Sequence, residues 1–192
     1  MCVVRQTFYK SCLSAFCCFV FFVLTGCVTY TNEDKPYISG YDHETSTQIY
    51  LDMGLLRLLQ QNTDEAEHYL LKAYKLDEHR LGTVEALALL YQLKRNYGAS
   101  ARWFNKALAI NQTNGRINFN YGVLLFQQKH YSQAIKTFTV ATKDDTYRNK
   151  AEAWENIARC YRELGDAKLA QNALDKAGRI RNRKENGSQI EI

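Results

Sequence analysis

The sequence predicts an all-α protein, a right-handed superhelix of about four helix-turn-helix repeats. The first observation behind this prediction is a period of 34 residues, which relates Gly54, Ala88 and Gly122. The second is composition: of 192 residues, 46% are hydrophobic and 23% charged, which is typical of a globular protein rather than a disordered one. The third is the scarcity of turn-forming residues, because one proline and ten glycines are too few for the turns of an all-β sandwich or barrel.

The same period recurs at other positions, and a fourth copy begins two residues late. The recurring residues are Ala66, Ser100 and Ala134; Leu70, Phe104 and Phe138; Ala73, Ala107 and Ala141; and, in the fourth copy, Trp154, Ile157, Ala158, Tyr161, Ala170, Leu174 and Ala177. This pattern resembles the tetratricopeptide repeat, W-x2-L-G-x2-Y, then A-x3-F, then A. We place the repeats at residues 47–80, 81–114, 115–148 and 151–184, and number positions from the first residue of each.

Each repeat is expected to be a helix, a short turn and a second helix. Small residues at positions 8, 20 and 27 let the helices approach closely, while Phe104, Phe138 and Leu174 fill the space between them. One repeat cannot bury its apolar face alone, so the four must stack. Asn62, and Asn149 with an acid three residues on, are typical helix N-caps. A coiled coil is the main rival, but strict heptads do not explain small residues that recur every 34 positions.

Residues 1–26 have the layout of a secretory signal peptide. An uncharged apolar run at 12–24 follows Arg5 and Lys10. A helix that spans a bilayer needs about 20 apolar residues, and this run has 13. We therefore interpret it as an export signal rather than as a permanent membrane span. The run ends in LTGC, which resembles the lipobox of bacterial lipoproteins. We therefore expect Cys27 to be acylated, because its thiol accepts the diacylglycerol before cleavage.

The residues after the leader indicate how the protein is anchored. Two or more acyl chains give stable membrane attachment. Lipoproteins of the inner membrane often have aspartate after the acylated cysteine, and Val28 stands there instead. The resemblance therefore implies an outer-membrane protein that faces the periplasm. Residues 27–46 are predicted to be a flexible tether with a reach of about 25 Å, and residues 185–192 are predicted to be a polar tail.

The sequence offers no set of residues for catalysis, for a metal or for another cofactor. The four histidines are scattered, and no HExxH, glycine-rich or Walker pattern occurs. After processing, Cys160 is the single free thiol, which excludes an intramolecular disulfide and a thiolate metal cluster. Residues 27–192 carry 23 basic and 20 acidic side chains. This excess of positive charge is too small for a protein that binds nucleic acid. We predict a binding protein that is not an enzyme and has no small-molecule substrate.

The predicted binding surface is the concave face, which the first helix of each repeat lines through positions 2, 5, 9, 12 and 13. Three repeats present apolar residues at these positions, whereas the fourth presents mainly charged ones. Each of these apolar side chains could line the groove or pack in the core, and its position in the repeat does not decide between the two. The predicted partner-binding residues, expected to form one continuous apolar strip, are Leu55, Leu59, Leu89, Leu93, Phe119, Val123 and Phe126.

Paired motifs in the third and fourth repeats point to a narrower family. These are N-x-x-YG at residues 118–122, D-x-x-Y-x-x-x-AE at 144–152, and N-x-x-x-C at 156–160. With the two-residue delay before the fourth repeat, they resemble the type IV pilus biogenesis and stability lipoproteins, known as pilotins, over about residues 45–178. The resemblance implies an outer-membrane lipoprotein that helps the secretin subunit reach the outer membrane and multimerise. Members of that family commonly have six repeats, whereas this chain has four.

A second interpretation keeps the fold and changes the partner. A periplasmic tetratricopeptide lipoprotein of the same design would serve as a scaffold for cell-wall hydrolases or synthases. The residues of the repeats fit both functions.

Overall fold

The computed structural model describes residues 42–188, and their side chains as far as residue 183. The predicted signal peptide, the predicted lipid site at Cys27 and residues 28–41 of the predicted tether lie outside the described residues, as do residues 189–192. Eight helices fill the described range: α1 (His43–Leu59), α2 (Thr63–Leu76), α3 (Leu81–Leu93), α4 (Tyr97–Ile110), α5 (Gly115–Gln127), α6 (Tyr131–Lys143), α7 (Lys150–Glu163) and α8 (Ala167–Ser188).

The helices pack in pairs, α1 with α2, α3 with α4, α5 with α6, and α7 with α8. The first helix of each later pair also packs against the second helix of the pair before it. The all-α repeat architecture predicted from the sequence is therefore confirmed. No helix among the described residues is both long enough and apolar enough to cross a membrane.

Asparagine side chains begin several of these helices. The Oδ1 atom of Asn62 accepts a hydrogen bond from the backbone N–H of Glu65 at 3.3 Å, and Asn96 and Asn114 cap α4 and α5 in the same way. Each bond satisfies one of the backbone donors that a helix leaves free at its first turn. Asn149 does stand at the start of α7, but its side chain makes no capping hydrogen bond.

Two residues after the first helix of every repeat ends, one residue adopts the left-handed backbone region. These residues all occupy position 15, and φ is 59° at Gln61, 56° at Arg95, 62° at Lys129 and 81° at Gly165. The turn then closes with hydrogen bonds such as that from the N–H of Asn62 to the carbonyl of Arg57 at 2.9 Å. This is the arrangement that usually requires glycine. Three repeats therefore form the turn with a residue that pays a steric penalty of about 1–2 kcal/mol.

Inside each repeat a small residue faces a large one. A Cβ atom added to Gly122 would lie 2.6 Å from Cε1 of Phe138, and one added to Gly54 would lie 2.5 Å from Cδ2 of Leu70. In the second repeat, the buried hydroxyl of Ser100 donates to the carbonyl of Ala88 at 2.8 Å. The two helices of a repeat thus approach more closely than larger residues would allow.

Two predicted boundaries need correction. Residues 43–46, assigned to the tether, form the first turn of α1, because Asp42 caps this helix by accepting a hydrogen bond from the N–H of Thr45 at 2.7 Å. At the other end, α8 continues to Ser188, so the predicted polar tail begins within a helix rather than after it.

Candidate functional site

The first helices α1, α3, α5 and α7 lie side by side, because each contacts the first helix of the next repeat. We call the surface formed by their positions 2, 5, 9, 12 and 13 the inner face. Solenoids of this kind use such a surface to bind partners. All seven residues predicted to bind a partner occur at these positions.

A groove of about 530 Å³ lies between α3 and α5 on this face. Leu89 and Leu93 from α3 and Val123 from α5 supply its apolar lining. Its polar lining includes the amide side chains of Gln92 and Gln127, which are joined by a hydrogen bond of 2.9 Å between Nε2 and Oε1. We call this the α3–α5 groove.

A second groove, of about 360 Å³, lies between α5 and α7 and shares Val123 and Gln127 with the first. Phe119 and Phe126 line its α5 side, and Arg159 lies on its α7 side. The Arg159 guanidinium stands 4.9 Å from the centre of the Phe126 ring, close enough for a cation–π attraction. We call this the α5–α7 groove. Together the two grooves bring five of the seven predicted residues onto one connected surface.

The remaining two predicted residues, Leu55 and Leu59, lie on α1 and line neither groove. Leu59 is 83% exposed, more than any other large apolar residue described, and Leu55 is also exposed. Leu93 is 52% exposed. These three leucines, with Leu89, are therefore free to contact a partner.

Phe119 and Phe126, the two aromatic residues of the predicted strip, are half-buried instead. The Phe119 ring packs against the core ring of Phe138, with centroids 5.5 Å apart, and against Tyr147 at 5.8 Å. Phe126 packs against Tyr131 at 5.3 Å. Each phenylalanine thus has one side in the groove and one side in the core, so both of the alternatives left open by position apply to it.

The sequence prediction missed a polar bridge across the inner face. Glu85 of α3 is 4% exposed and accepts two hydrogen bonds from α5, from Nη2 of Arg116 at 2.6 Å and from Nδ2 of Asn120 at 2.9 Å. Burial raises the pKa of the Glu85 carboxyl, and the Arg116 charge offsets part of that rise. The expected strip is therefore not continuously apolar. The signal was present as opposite charges at position 5 of one repeat and position 2 of the next.

Cys160 lies in the core between the third and fourth repeats and is fully buried. Burial raises the pKa of its thiol to about 11, so the sulfur stays protonated near neutral pH and is a poor nucleophile. Among the described residues, histidine, cysteine and carboxylate side chains do not gather in any group of three that would hold a metal ion.

Comparison with known proteins gives two sequence matches. The Tetratricopeptide repeat family matches residues 47–80 and 151–183. The type IV pilus assembly protein PilF of Pseudomonas aeruginosa is 28% identical over 157 residues, which is 82% of this chain and 62% of PilF. The chain is a tetratricopeptide-repeat protein homologous to PilF. It spans less than two thirds of the length of that relative.

Solved structures agree with this homology. The structure of Pseudomonas aeruginosa PilF superposes with a TM-score of 0.68 at 27% identity, over 72% of this chain and 62% of that one. PilW, a widely conserved type IV pilus biogenesis factor, superposes with a TM-score of 0.64 at 23% identity, over 68% of this chain and 60% of PilW. The likeness to PilW is one of fold alone. Both are stacks of the same helical repeat, a fold used for protein interaction.

Proposed function

We propose that this protein is a type IV pilus assembly factor that acts by binding another protein. The observation that carries the proposal is the homology to the type IV pilus assembly protein PilF, which extends over 82% of the chain. The fold supports it, because stacked repeats form an extended surface for a protein partner. The shared surface of the two grooves is the part of this chain best suited to that task.

The partner we propose is the secretin subunit of the pilus machinery. Binding would help the subunit reach the outer membrane and assemble into its multimer, as the resemblance to pilotins implies. We further propose that the protein is itself an outer-membrane lipoprotein anchored through Cys27 and facing the periplasm. The LTGC sequence behind an apolar run supports the lipid site, and Val28 supports the outer membrane.

The chemistry of the grooves defines the kind of segment that would fit. Apolar anchors would enter beside Leu89, Leu93 and Val123, which offer unoccupied apolar surface on both sides of the α3–α5 groove. The amides of Gln92 and Gln127 each retain hydrogen-bonding capacity beyond the bond they share. An amphipathic helix, or an extended segment with apolar side chains on one edge, satisfies both requirements.

Leu93→Asp is the variant that tests the groove. It removes an exposed apolar contact and forces a partner to desolvate a carboxylate, so we expect about a tenfold or greater loss of affinity. The matched control is Leu71→Asp, on a second helix: Leu71 is 40% exposed and Leu93 is 52% exposed. Heat-resistant secretin multimer in outer-membrane fractions is the readout. It should fall in Leu93→Asp and stay at the wild-type level in Leu71→Asp, with similar melting temperatures for both.

Two further results would separate the parts of the proposal. Wild-type multimer levels in Leu93→Asp, with the variant protein folded, would exclude the α3–α5 groove as the secretin site. Wild-type levels in a strain that lacks the whole protein would exclude the assembly function itself. Cys27→Ala tests the anchor separately, because it should leave the protein unacylated and out of the outer-membrane fraction while its grooves are unchanged.

A further inference from the structure

Basic residues are concentrated on the second helices of the last two repeats. Within residues 42–183, helices α6 and α8 carry seven basic side chains and one acidic side chain, that of Asp175. The other residues of that range carry 14 basic and 15 acidic side chains. The positive charge of the described residues is therefore not spread evenly but belongs to these two helices.

Six of the seven basic residues lie on one stripe that faces away from the first helices. They occupy positions 18, 22, 26, 29 and 33, and all six are exposed: Lys136, Lys143, Lys168, Lys176, Arg179 and Arg183. Residues three or four apart share one side of a helix, and positions 20 and 27, on the opposite side, are buried in both helices. The seventh, Arg181, pairs with Glu155 of α7. We call the six residues the basic face.

Aromatic side chains lie beside the basic face. The Lys176 ammonium stands 4.1 Å from the centre of the Trp154 ring. With Tyr161, Leu169 and Arg179, these two residues line a groove of about 260 Å³ between α7 and α8. Trp154 and Tyr161 are half-buried, and Leu169 is 40% exposed. Indole and phenol rings, which are apolar at one end and polar at the other, are enriched where a bilayer meets water.

The extent of the basic face indicates the kind of surface that it fits. Lys168 and Arg183 are about 22 Å apart along α8, at 1.5 Å per residue, and α6 adds two more basic residues to the same side. A ligand that meets all of them must present negative charge over a broad area rather than at one point. Anionic lipids do so, and their surface potential attracts clustered lysine and arginine side chains.

We propose that the basic face lies against the phosphate headgroups of an anionic phospholipid surface. This contact turns the second helices of the last two repeats towards the membrane and leaves the inner face open to a partner. A lipid chain and a basic surface together hold a protein on a membrane more firmly than either does alone. The inference rests on the anchor proposed at Cys27 only for bringing the chain to the membrane.

The fluorescence of the native tryptophans tests this contact, because Trp154 is one of only two in the chain. The purified full chain is mixed with vesicles of brominated phosphatidylcholine, with or without an equal amount of phosphatidylglycerol, and bromine quenches tryptophan that lies close to it. Acylated protein stays on both kinds of vesicle through its lipid. Quenching should be about twofold stronger with phosphatidylglycerol. That difference should disappear in about 1 M salt, where charges are screened beyond about 3 Å.

Charge reversals separate the position of the charge from its amount. Lys136→Glu combined with Lys168→Glu should reduce the phosphatidylglycerol-dependent quenching by about threefold or more, because it replaces two attractive charges with repulsive ones. The matched control combines Lys129→Glu with Arg162→Glu, two exposed basic residues outside the second helices. It changes the net charge by the same amount and should keep the wild-type quenching. Circular dichroism checks that both variants are folded.

The outcomes distinguish this proposal from the proposed anchor. Equal losses in the two variants would overturn the basic face, because total charge would then be the cause. Wild-type protein that stays on both vesicles without phosphatidylglycerol-dependent quenching would also overturn it, and would favour an acidic protein as the occupant. Attachment only to vesicles with phosphatidylglycerol would contradict the anchor and support the basic face. Attachment to neither kind of vesicle would contradict both.

Discussion

The interior and the inner face are formed by the same four repeats but follow different rules. In the interior, position 24 is large in all four repeats and position 27 is alanine in all four. On the inner face, position 9 is Leu55, Leu89, Val123 and finally Arg159. Packing requires the first set to repeat, because each repeat must fit the next. The second set is free to vary, and so it is where recognition of a particular partner is encoded.

The largest effect that tests this comparison is expected from truncating one side chain in each region. Phe104→Ala should lower the free energy of unfolding by about 3–5 kcal/mol, because it leaves a cavity at a fully buried position between two repeats. Leu93→Ala, on the half-exposed inner face, should change it by no more than about 0.5 kcal/mol. Urea unfolding followed by circular dichroism measures both. Comparable losses in the two variants would mean that the inner face is part of the core.

Replacing two glycines by alanine should change the free energy of unfolding by smaller amounts and in opposite directions. Gly122→Ala places a methyl group against the ring of Phe138 and should destabilise the protein by about 1–3 kcal/mol. Gly178→Ala, in α8, meets no atom within 4 Å. It should stabilise the protein by about 0.5–1 kcal/mol, the usual gain of alanine over glycine in a helix. If Gly122→Ala were also stabilising, close approach of the two helices would not be what selects glycine at position 8.

The fold was predictable from the sequence because its requirements recur. Gly122 and Phe138 are 16 residues apart, as are Gly54 and Leu70, and the structure places each pair in contact. The left-handed residue at position 15 was not predictable, since Gln61 stands there in place of the glycine that usually signals it. The start of α1 was also missed, because its first turn depends on the local cap at Asp42 rather than on the repeat.

The candidate site was predictable only to the level of a helix face. Position within the repeat placed Leu93 and Val123 on the same predicted helix face, and in the structure both line one groove. It did not show that Tyr147 covers one side of Phe119, because that tyrosine comes from the turn that joins α6 to α7. The bond between Glu85 and Arg116 depends on the separation of neighbouring repeats, which the period alone does not give.

Two carboxylates of known geometry extend the comparison to electrostatics. Glu85 lies on the inner face, and burial raises its pKa. Glu67 of α2 accepts hydrogen bonds from Nζ of Lys94 and from the hydroxyl of Tyr91, each at 2.5 Å. Those bonds lower the pKa of Glu67. Ionisation therefore opposes folding at Glu85 and favours it at Glu67.

The smallest expected effects are opposite pH dependences at these two sites. The folded protein holds the Glu85 proton more tightly than the unfolded chain does, so Glu85 makes the free energy of unfolding fall as pH rises above the ordinary value of 4.5. Glu67 contributes stability that is complete above 4.5 and is lost as pH falls through its lowered pKa. Relative to wild type, Glu85→Gln should therefore become more stable as pH rises from about 3 to about 7, and Glu67→Gln less stable. Urea unfolding across that range measures both differences. Parallel curves for the two variants would show that burial of Glu85 does not outweigh its bonds to Arg116 and Asn120.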